Sequence, residues 1–407
     1  MPWKCFFLLR IMLLADAPWA NTGYGKMAAN LVRFSRVCGL DHIWGWTCIG
    51  GLSGGKIEWG DIQLYPRGQD MWSQDVVMNY YMEHNADVLI SMKDVWLFGS
   101  LPSMPLDWAP LVPIDHSPIS THITAKLQTA FAPIAISKFG QIELAQHKIH
   151  STYIPHAVDT NLYRPIDEVP KPDLKSRLDL PPGSWVVGLV SMNRSRKCIA
   201  RQLRGFARFL ENNPDAQKDA VMFMWTSVLP EGDSAAVDLR PIIRELGLNN
   251  RVYYPGQAMY EKGLPEVKMP HLYNTFDVLT NVSSEGAGLP ILEAGSCGIP
   301  QLVLRYAAGP EYWTSGAIVN CADIEYWSTP GVPFGLLDID DYAEKLAKIY
   351  NGDPEKYRRR ALRAIKPFNW ESVVRRFWEP FLGDLESRVR PLVKKDGISA
   401  WRSNLVK

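Results

Sequence analysis

Twice along this chain, short apolar runs alternate with stretches of helical periodicity; between residues 158 and 183 the alternation breaks. The first series offers strands at 11–15, 88–92, 111–114 and 132–136, each brief and apolar enough to be covered on both faces. Met27, Leu31, Phe34 and Val37 recur at helical spacing over 26–37. The second series offers strands at 185–190, 221–225, 252–254, 278–282 and 301–304, with a helix over 199–210. Repeated βα units predict doubly wound parallel sheets, which take ligands outside the carboxyl ends of their strands. The break gathers Pro165, Pro170, Pro172, Pro181, Pro182 and Gly183 among charges and reads as a linker. A chain of 407 residues exceeds one ordinary core. We therefore expect a first domain over 1–165, a linker over 166–183 and a second domain over 184–368.

Beyond the second domain, Asn369 is a candidate N-cap. Trp370, Val373, Val374, Phe377, Trp378 and Phe381 then follow at helical spacing, and Pro380 should kink the helix. Its apolar face packs on the first domain or wholly on the second. The composition, 46% hydrophobic and 21% charged, is that of a globular protein. A formal net charge of +1 argues against a broad nucleic-acid surface. The six cysteines, at 5, 38, 48, 198, 297 and 321, form no C-x-x-C pair and find no His at zinc-ligand spacing. They read as free thiols of a cytoplasmic protein. Residues 6–9 and 11–14, interrupted by Arg10, lack a small-residue cleavage site and read as a buried first strand, not a signal peptide. No segment approaches the roughly 20 apolar residues that span a bilayer.

The densest chemistry lies in residues 283–300, SSEGAGLPILEAGSCGIP. Glu285 and Glu293 flank the small-residue turn Gly286, Ala287, Gly288, after which Leu289 and Pro290 open a helix closed by Gly295, Gly298 and Pro300. Free amides at a helix N-terminus, approached through a loop without bulky side chains, make an anion site. An acid on either side can meet hydroxyls flanking a bound phosphate, which suits a sugar joined to a diphosphate. Asn193, Arg194, Ser195, Arg196 and Lys197 follow the strand at 185–190, and cations at the end of a strand are well placed for a diphosphate. After the first strand come Asn21, Thr22, Gly23, Tyr24 and Gly25, either a plain tight turn or a second close approach of backbone to an anion. Asp115 and His116 follow the strand at 111–114, and a histidine there is either structural or part of a site.

The run from Glu285 resembles the signature of the family-4 retaining glycosyltransferases: Glu, seven residues, Glu, with Gly-Leu-Pro before the second acid and Ala294, Gly298 and Pro300 after it. The resemblance implies a GT-B fold, two Rossmann-like doubly wound domains facing across a cleft, with the terminal helix 369–407 returning to the first. It implies that Glu285 contacts hydroxyls of the transferred sugar, that the amides of Ala287, Gly288 and Leu289 hold sugar and phosphate, and that Glu293 binds the ribose. Arg196 and Lys197 align with the family's cations on the donor pyrophosphate, with Arg194 the competing candidate. Gly23 and Gly25 align with its Gly-rich loop over the donor phosphates and acceptor site. His116 aligns with a histidine near the sugar's reacting end, where Asp115 either orients the imidazole or acts on the acceptor. Gly256, with Tyr254 and Pro255, falls where backbone meets the nucleobase. The stretch Ile154, Pro155, His156, Ala157, Val158, Asp159 resembles the family's Ile-Pro-x-Gly-Val-Asp but has Ala157 at the glycine.

The expected activity is transfer of a hexose from a UDP- or GDP-sugar to a hydroxyl of an acceptor: a glycan, lipid, small molecule, protein or nucleic acid. No Asp-x-Asp cluster stands where the motif would need one, so we expect a metal-independent enzyme with no cofactor beyond the donor. A phosphorylase or epimerase on the same scaffold, and a non-catalytic sugar-nucleotide binding module, are the rival readings. Acceptor choice should reside in residues 41–108, where Trp44, Trp46, Trp59, Trp72 and Trp96 either stack on a ligand or fill the core.

Overall fold

All five residues of Ile11–Ala15 are buried, as are all five of Val88–Met92 and of Trp108–Val112. A strand with no exposed face belongs in a sheet covered on both sides. The computed structural model has that arrangement; it describes residues 9–230, 237–326 and 331–389, Trp44 by its backbone alone. The chain divides into two compact units. The first takes residues up to Pro113, then Ile119–His156 and the chain from Trp370; the second takes Ile114–Pro118 and Ala157–Asn369.

The sheet of the first unit is built from β1 (Ile11–Ala15), β2 (Ile43–Cys48), β3 (Ile57–Trp59), β4 (Ile62–Tyr65), β5 (Val88–Met92), β6 (Trp108–Val112), β7 (Ile134–Ala135) and β8 (Thr152–Tyr153). Their order is β3-β4-β2-β1-β5-β6-β7-β8, and only β3 runs antiparallel to its neighbour. The helix expected over 26–37 spans Gly23–Val37, three residues earlier, because the Thr22 side chain caps it by accepting from Gly25 N at 3.1 Å. The terminal helix packs in this unit: Trp370 stacks on Phe34 at 5.8 Å between centroids, and Tyr153 meets Phe377 edge-on at 5.6 Å. In place of a kink at Pro380, residues Val374–Trp378 form a π-helix before the α-helix Glu379–Arg388 resumes. A proline clashes with the carbonyl four residues back, here in that segment, and the wider turn absorbs it.

The second unit holds β9 (Trp185–Val190), β10 (Ala220–Trp225), β11 (Val252–Tyr253), β12 (Val278–Asn281), β13 (Gln301–Leu304) and β14 (Gly316–Val319), in the order β11-β10-β9-β12-β13-β14 and parallel throughout. A hairpin, β15 (Cys321–Tyr326) with β16 (Pro333–Leu337), completes it. The helix Ile199–Asn212 buries Ile199, Leu203, Phe206 and Leu210, one stripe at helical spacing, in a core with Val187, Leu189 and Tyr342. Two glycines allow this packing: a Cβ at Gly188 would run into the Phe276 ring, and one at Gly205 into the Tyr342 ring. The proline-rich stretch at 166–183 belongs to this unit. Its helix Lys171–Ser176 buries Leu174, while Lys171 and Lys175 donate to Asp277 at 2.7 and 3.3 Å. Among the described residues, no helix is long and apolar enough to cross a membrane, and Cys38, Cys48, Cys198, Cys297 and Cys321 are free.

Candidate functional site

In the second unit the chain builds outward from β9 on one side, through β10 and β11, and on the other through β12, β13 and β14. Ligands of doubly wound sheets sit where the winding reverses, here beyond the carboxyl ends of β9 and β12. Ser195, Arg196 and Lys197 form a short 3-10 turn after β9, and Ser283, Ser284 and Glu285 follow β12. Because those strands are neighbours, residues 88 apart in sequence meet.

Lys197 Nζ donates to Glu285 Oε1. Arg196 Nη1 donates to Ser284 O at 2.8 Å and lies 3.9 Å from Glu285 Oε2. Ser283 Oγ donates to Glu285 Oε1 at 2.9 Å. Glu285 is 6% exposed, so its charge is held by these partners and not by water. Past the turn, Cys198 takes a left-handed conformation (φ 51°, ψ 31°), a position disfavoured for a residue with a Cβ. Arg194, the competing candidate, stands at the N-cap of the turn in extended backbone.

The segment Ile114–Pro118 brings Asp115 and His116 into the same group. Asp115 Oδ2 lies 3.4 Å from Arg196 Nη1, and Asp115 Oδ1 is 2.8 Å from Nδ1 of the buried His116. The carboxylate therefore orients the imidazole. Burial opposes ionisation of Asp115, but Arg196, the His116 hydrogen bond and Lys197 together outweigh it and hold its pKa below 3.8. Burial, then Arg196, push the pKa of Lys197 down from 10.5, against the pull of Glu285.

Gly288 is left-handed (φ 83°, ψ 72°) and opens the helix Leu289–Ser296, with Pro290 in its first turn. No chain atom among the described residues accepts from the amides of Ala287, Gly288 or Leu289, so this turn presents the donors expected of an anion site. Asn281, which the sequence reasoning passed over, is 5% exposed, and its Nδ2 has no hydrogen-bond partner. It lies 3.3 Å from where a Cβ on Gly288 would be. The sequence signal for it was a polar residue closing an apolar strand.

Glu293 lies within that helix, 4% exposed, its Oε2 accepting from Tyr273 Oη at 2.6 Å. Burial first, and then the Glu293 charge, raise the pKa of Tyr273 well above 10.0, so the phenol keeps its proton and donates. Gly256 follows β11 on the same carboxyl edge, exposed, as the N-cap of the helix Gln257–Lys262. Gly23 and Gly25 belong to the first unit, in the first turn of a helix and not in a loop before it. Gly25 answers a packing need: its amide is taken by Thr22, and a Cβ there would sit 2.6 Å from Ala17 O. Of the tryptophans, Trp46 is fully buried and Trp59 packs edge-on against it at 5.8 Å; Trp72 is half-buried and Trp96 is 37% exposed. Among the described residues no three His, Cys, Asp or Glu side chains gather as metal ligands.

No protein-family model matches the chain, and no curated protein does. Solved structures do. A sucrose-phosphate synthase from Thermosynechococcus elongatus superimposes with a TM-score of 0.68 at 15% identity, over 93% of this chain and 100% of that one. A glycosyltransferase from Rickettsia africae superimposes with a TM-score of 0.68 at 13% identity, over 94% and 100%. HepE from Anabaena, solved in complex with UDP-glucose, gives 0.68 at 16% identity, over 92% and 100%. At such identities the likeness speaks to architecture, and the architecture is the GT-B fold.

Proposed function

We propose that this chain is a retaining, metal-independent glycosyltransferase of the family-4 type, moving a hexose from a nucleotide-diphosphate sugar to an acceptor hydroxyl. The observation that carries the reading is the convergence of Arg196 and Lys197 on Glu285 at the winding reversal of the second sheet, beside the unbonded amides at Gly288. The complex of HepE with UDP-glucose, on the same architecture, supports the choice of donor.

In this reading the donor diphosphate sits on the amides of Ala287, Gly288 and Leu289, with Arg196, Lys197 and the Asn281 amide as further donors. Glu285 accepts from hydroxyls of the hexose, Glu293 from the ribose, and backbone at Gly256 meets the base. His116, oriented by Asp115, lines the reacting end of the sugar. The acceptor oxygen bonds to the anomeric carbon as the bond from that carbon to the diphosphate oxygen breaks. The bonding pair leaves with the diphosphate, which takes the acceptor's proton on the same face. Arg196 and Lys197 stabilise the charge that develops there; losing either costs on the order of 2–4 kcal/mol, the range for deleted oxyanion donors. The free thiols of the described residues suit a cytoplasmic enzyme.

A thermal-shift screen against UDP- and GDP-sugars identifies the donor without knowledge of the acceptor. The reading expects one class to raise the melting temperature, Glu285→Ala to abolish turnover with the fold intact, and EDTA to leave activity unchanged. Full turnover by Glu285→Ala, or activity lost to EDTA and restored by Mn²⁺ or Mg²⁺, would overturn it.

A further inference from the structure

The two acids that flank the Gly288 turn are held by different chemistry. Arg196 and Lys197 meet Glu285, whereas two phenols meet Glu293. Tyr273 Oη donates to Glu293 Oε2 at 2.6 Å, and Tyr163 is hydrogen-bonded to the same carboxylate. Both tyrosines are buried, with ring centroids 6.1 Å apart. Burial first, and then the Glu293 charge, raise the pKa of Tyr163 above 10.0, so its phenol keeps the proton it donates. Glu266 Oε1 also faces that phenol, but at 3.4 Å, longer than an ordinary O–H···O bond.

Tyr163 comes from the stretch that opens the second unit at Ala157. Its own turn and two helices hold that stretch in place. The Tyr163 amide donates to Asp159 O at 2.8 Å, and Ser296 Oγ, at the end of the helix Leu289–Ser296, donates to Tyr163 O. Asn274, beside Tyr273 in the helix Met269–Thr275, accepts from Ile166 N and donates to Arg164 O, both at 3.0 Å. Each phenol therefore stands on a fixed backbone. Burying a carboxylate against neutral donors is a poor way to stabilise a helix, since an apolar side chain of similar volume escapes the cost of desolvation. The same carboxylate, fixed in one orientation, is well suited to recognising a diol. It can accept about four hydrogen bonds, of which the phenols use two.

We propose that Tyr163 and Tyr273 are positioning residues that aim Glu293 at the ribose, so that preference for a ribonucleotide donor depends on their two hydroxyls. The proposal rests on the transferase reading, in which Glu293 accepts from the ribose, and adds the residues that set this selectivity. With a phenol hydroxyl removed, the carboxylate gains rotamer freedom and the ribose hydroxyls lose an acceptor of fixed geometry.

Isothermal titration of the full chain with UDP, GDP and their 2′,3′-dideoxy forms tests this. The parent is expected to prefer the ribose form by roughly tenfold or more, the value of a hydrogen bond to a charged group. Tyr163→Phe and Tyr273→Phe keep the rings and their packing. Each should cut that preference about threefold or more by weakening the ribose form alone, with dideoxy affinity unaltered. A purely structural role would weaken both forms together. Melting temperatures are read alongside; should one variant unfold, the other still reads the ratio. An unchanged preference in the folded variants, or an equal loss for both forms, would overturn the proposal. A parent that bound UDP or GDP without distinguishing the dideoxy form would take Glu293 off the ribose, and the proposal with it, while the transferase reading stood. A parent that bound neither nucleotide would sink the transferase reading itself.

Discussion

Replacing Glu285 with Gln should tighten the binding of a free nucleoside diphosphate while abolishing transfer. The two cations Arg196 and Lys197 face two anions, Glu285 and Asp115, so the group is formally neutral. On the proposed function, a diphosphate must compete with Glu285 for Lys197. Gln keeps the shape, removes one negative charge and leaves the group at +1. At an effective dielectric of about 20, a unit charge about 6 Å from a phosphate contributes roughly 3 kcal/mol. Solvent and mobile ions reduce this, so we expect a gain of about 1–2 kcal/mol, or roughly five- to thirtyfold in Kd. Isothermal titration with UDP and GDP at low ionic strength reads the gain directly, and added salt should shrink it. Without ligand the variant should melt earlier, because a buried lysine has lost its partner, and saturating diphosphate should restore the difference. Glu285→Gln binding the diphosphate no better than the parent would refute the claim that Glu285 is the counter-ion displaced by the donor.

Gly288→Ala should cost about 1–3 kcal/mol in chemical denaturation, since a left-handed residue with a Cβ is strained, and that Cβ would lie 2.7 Å from Ile291 Cδ1. Diphosphate affinity should fall with it; an unchanged midpoint would show that the turn adapts. The lowered pKa of Lys197 sets an alkaline limit: as pH rises through a value below 10.5 the ammonium is lost, so diphosphate affinity declines earlier than for an ordinary lysine. Lys197→Arg, charged throughout, should remove that limb, and a Kd–pH profile identical in both proteins would exclude the assignment. Tyr273→Phe leaves the buried Glu293 carboxylate one donor short and should destabilise by about 1–3 kcal/mol in denaturant titration.

Much of this site could be read from residue types because it is local. The turn before Leu289–Ser296 announces itself through Gly288, Pro290 and the closing glycines, all within one element and its caps. That Arg196 and Lys197 follow a buried strand was equally legible. Their meeting with Glu285 was not, since it depends on β9 lying beside β12, a pairing made across the sheet by strands distant in sequence. For the same reason the sequence offered no hint that Asp115 reaches Arg196. β8, at two residues, and β3, at three, are too short to show a period. β2 carries Trp, Gly and Thr in place of an aliphatic run. Gly25 stayed open between two roles, because glycine in a first helical turn and glycine in a phosphate loop look alike until the Ala17 carbonyl is in place.

The placement of Trp370 against Phe34 bears on how a ribosome must make this molecule. The first unit emerges before the second, yet one wall of its hydrophobic interior is encoded after Asn369 and is translated only once the second unit has been made. Until then Phe34 has no indole to lie against, and the early-born unit waits as an unfinished body while the later one can already close on itself. Nascent chains arrested before and after residue 370 should differ in protease resistance within residues 9–156, and little within 184–368.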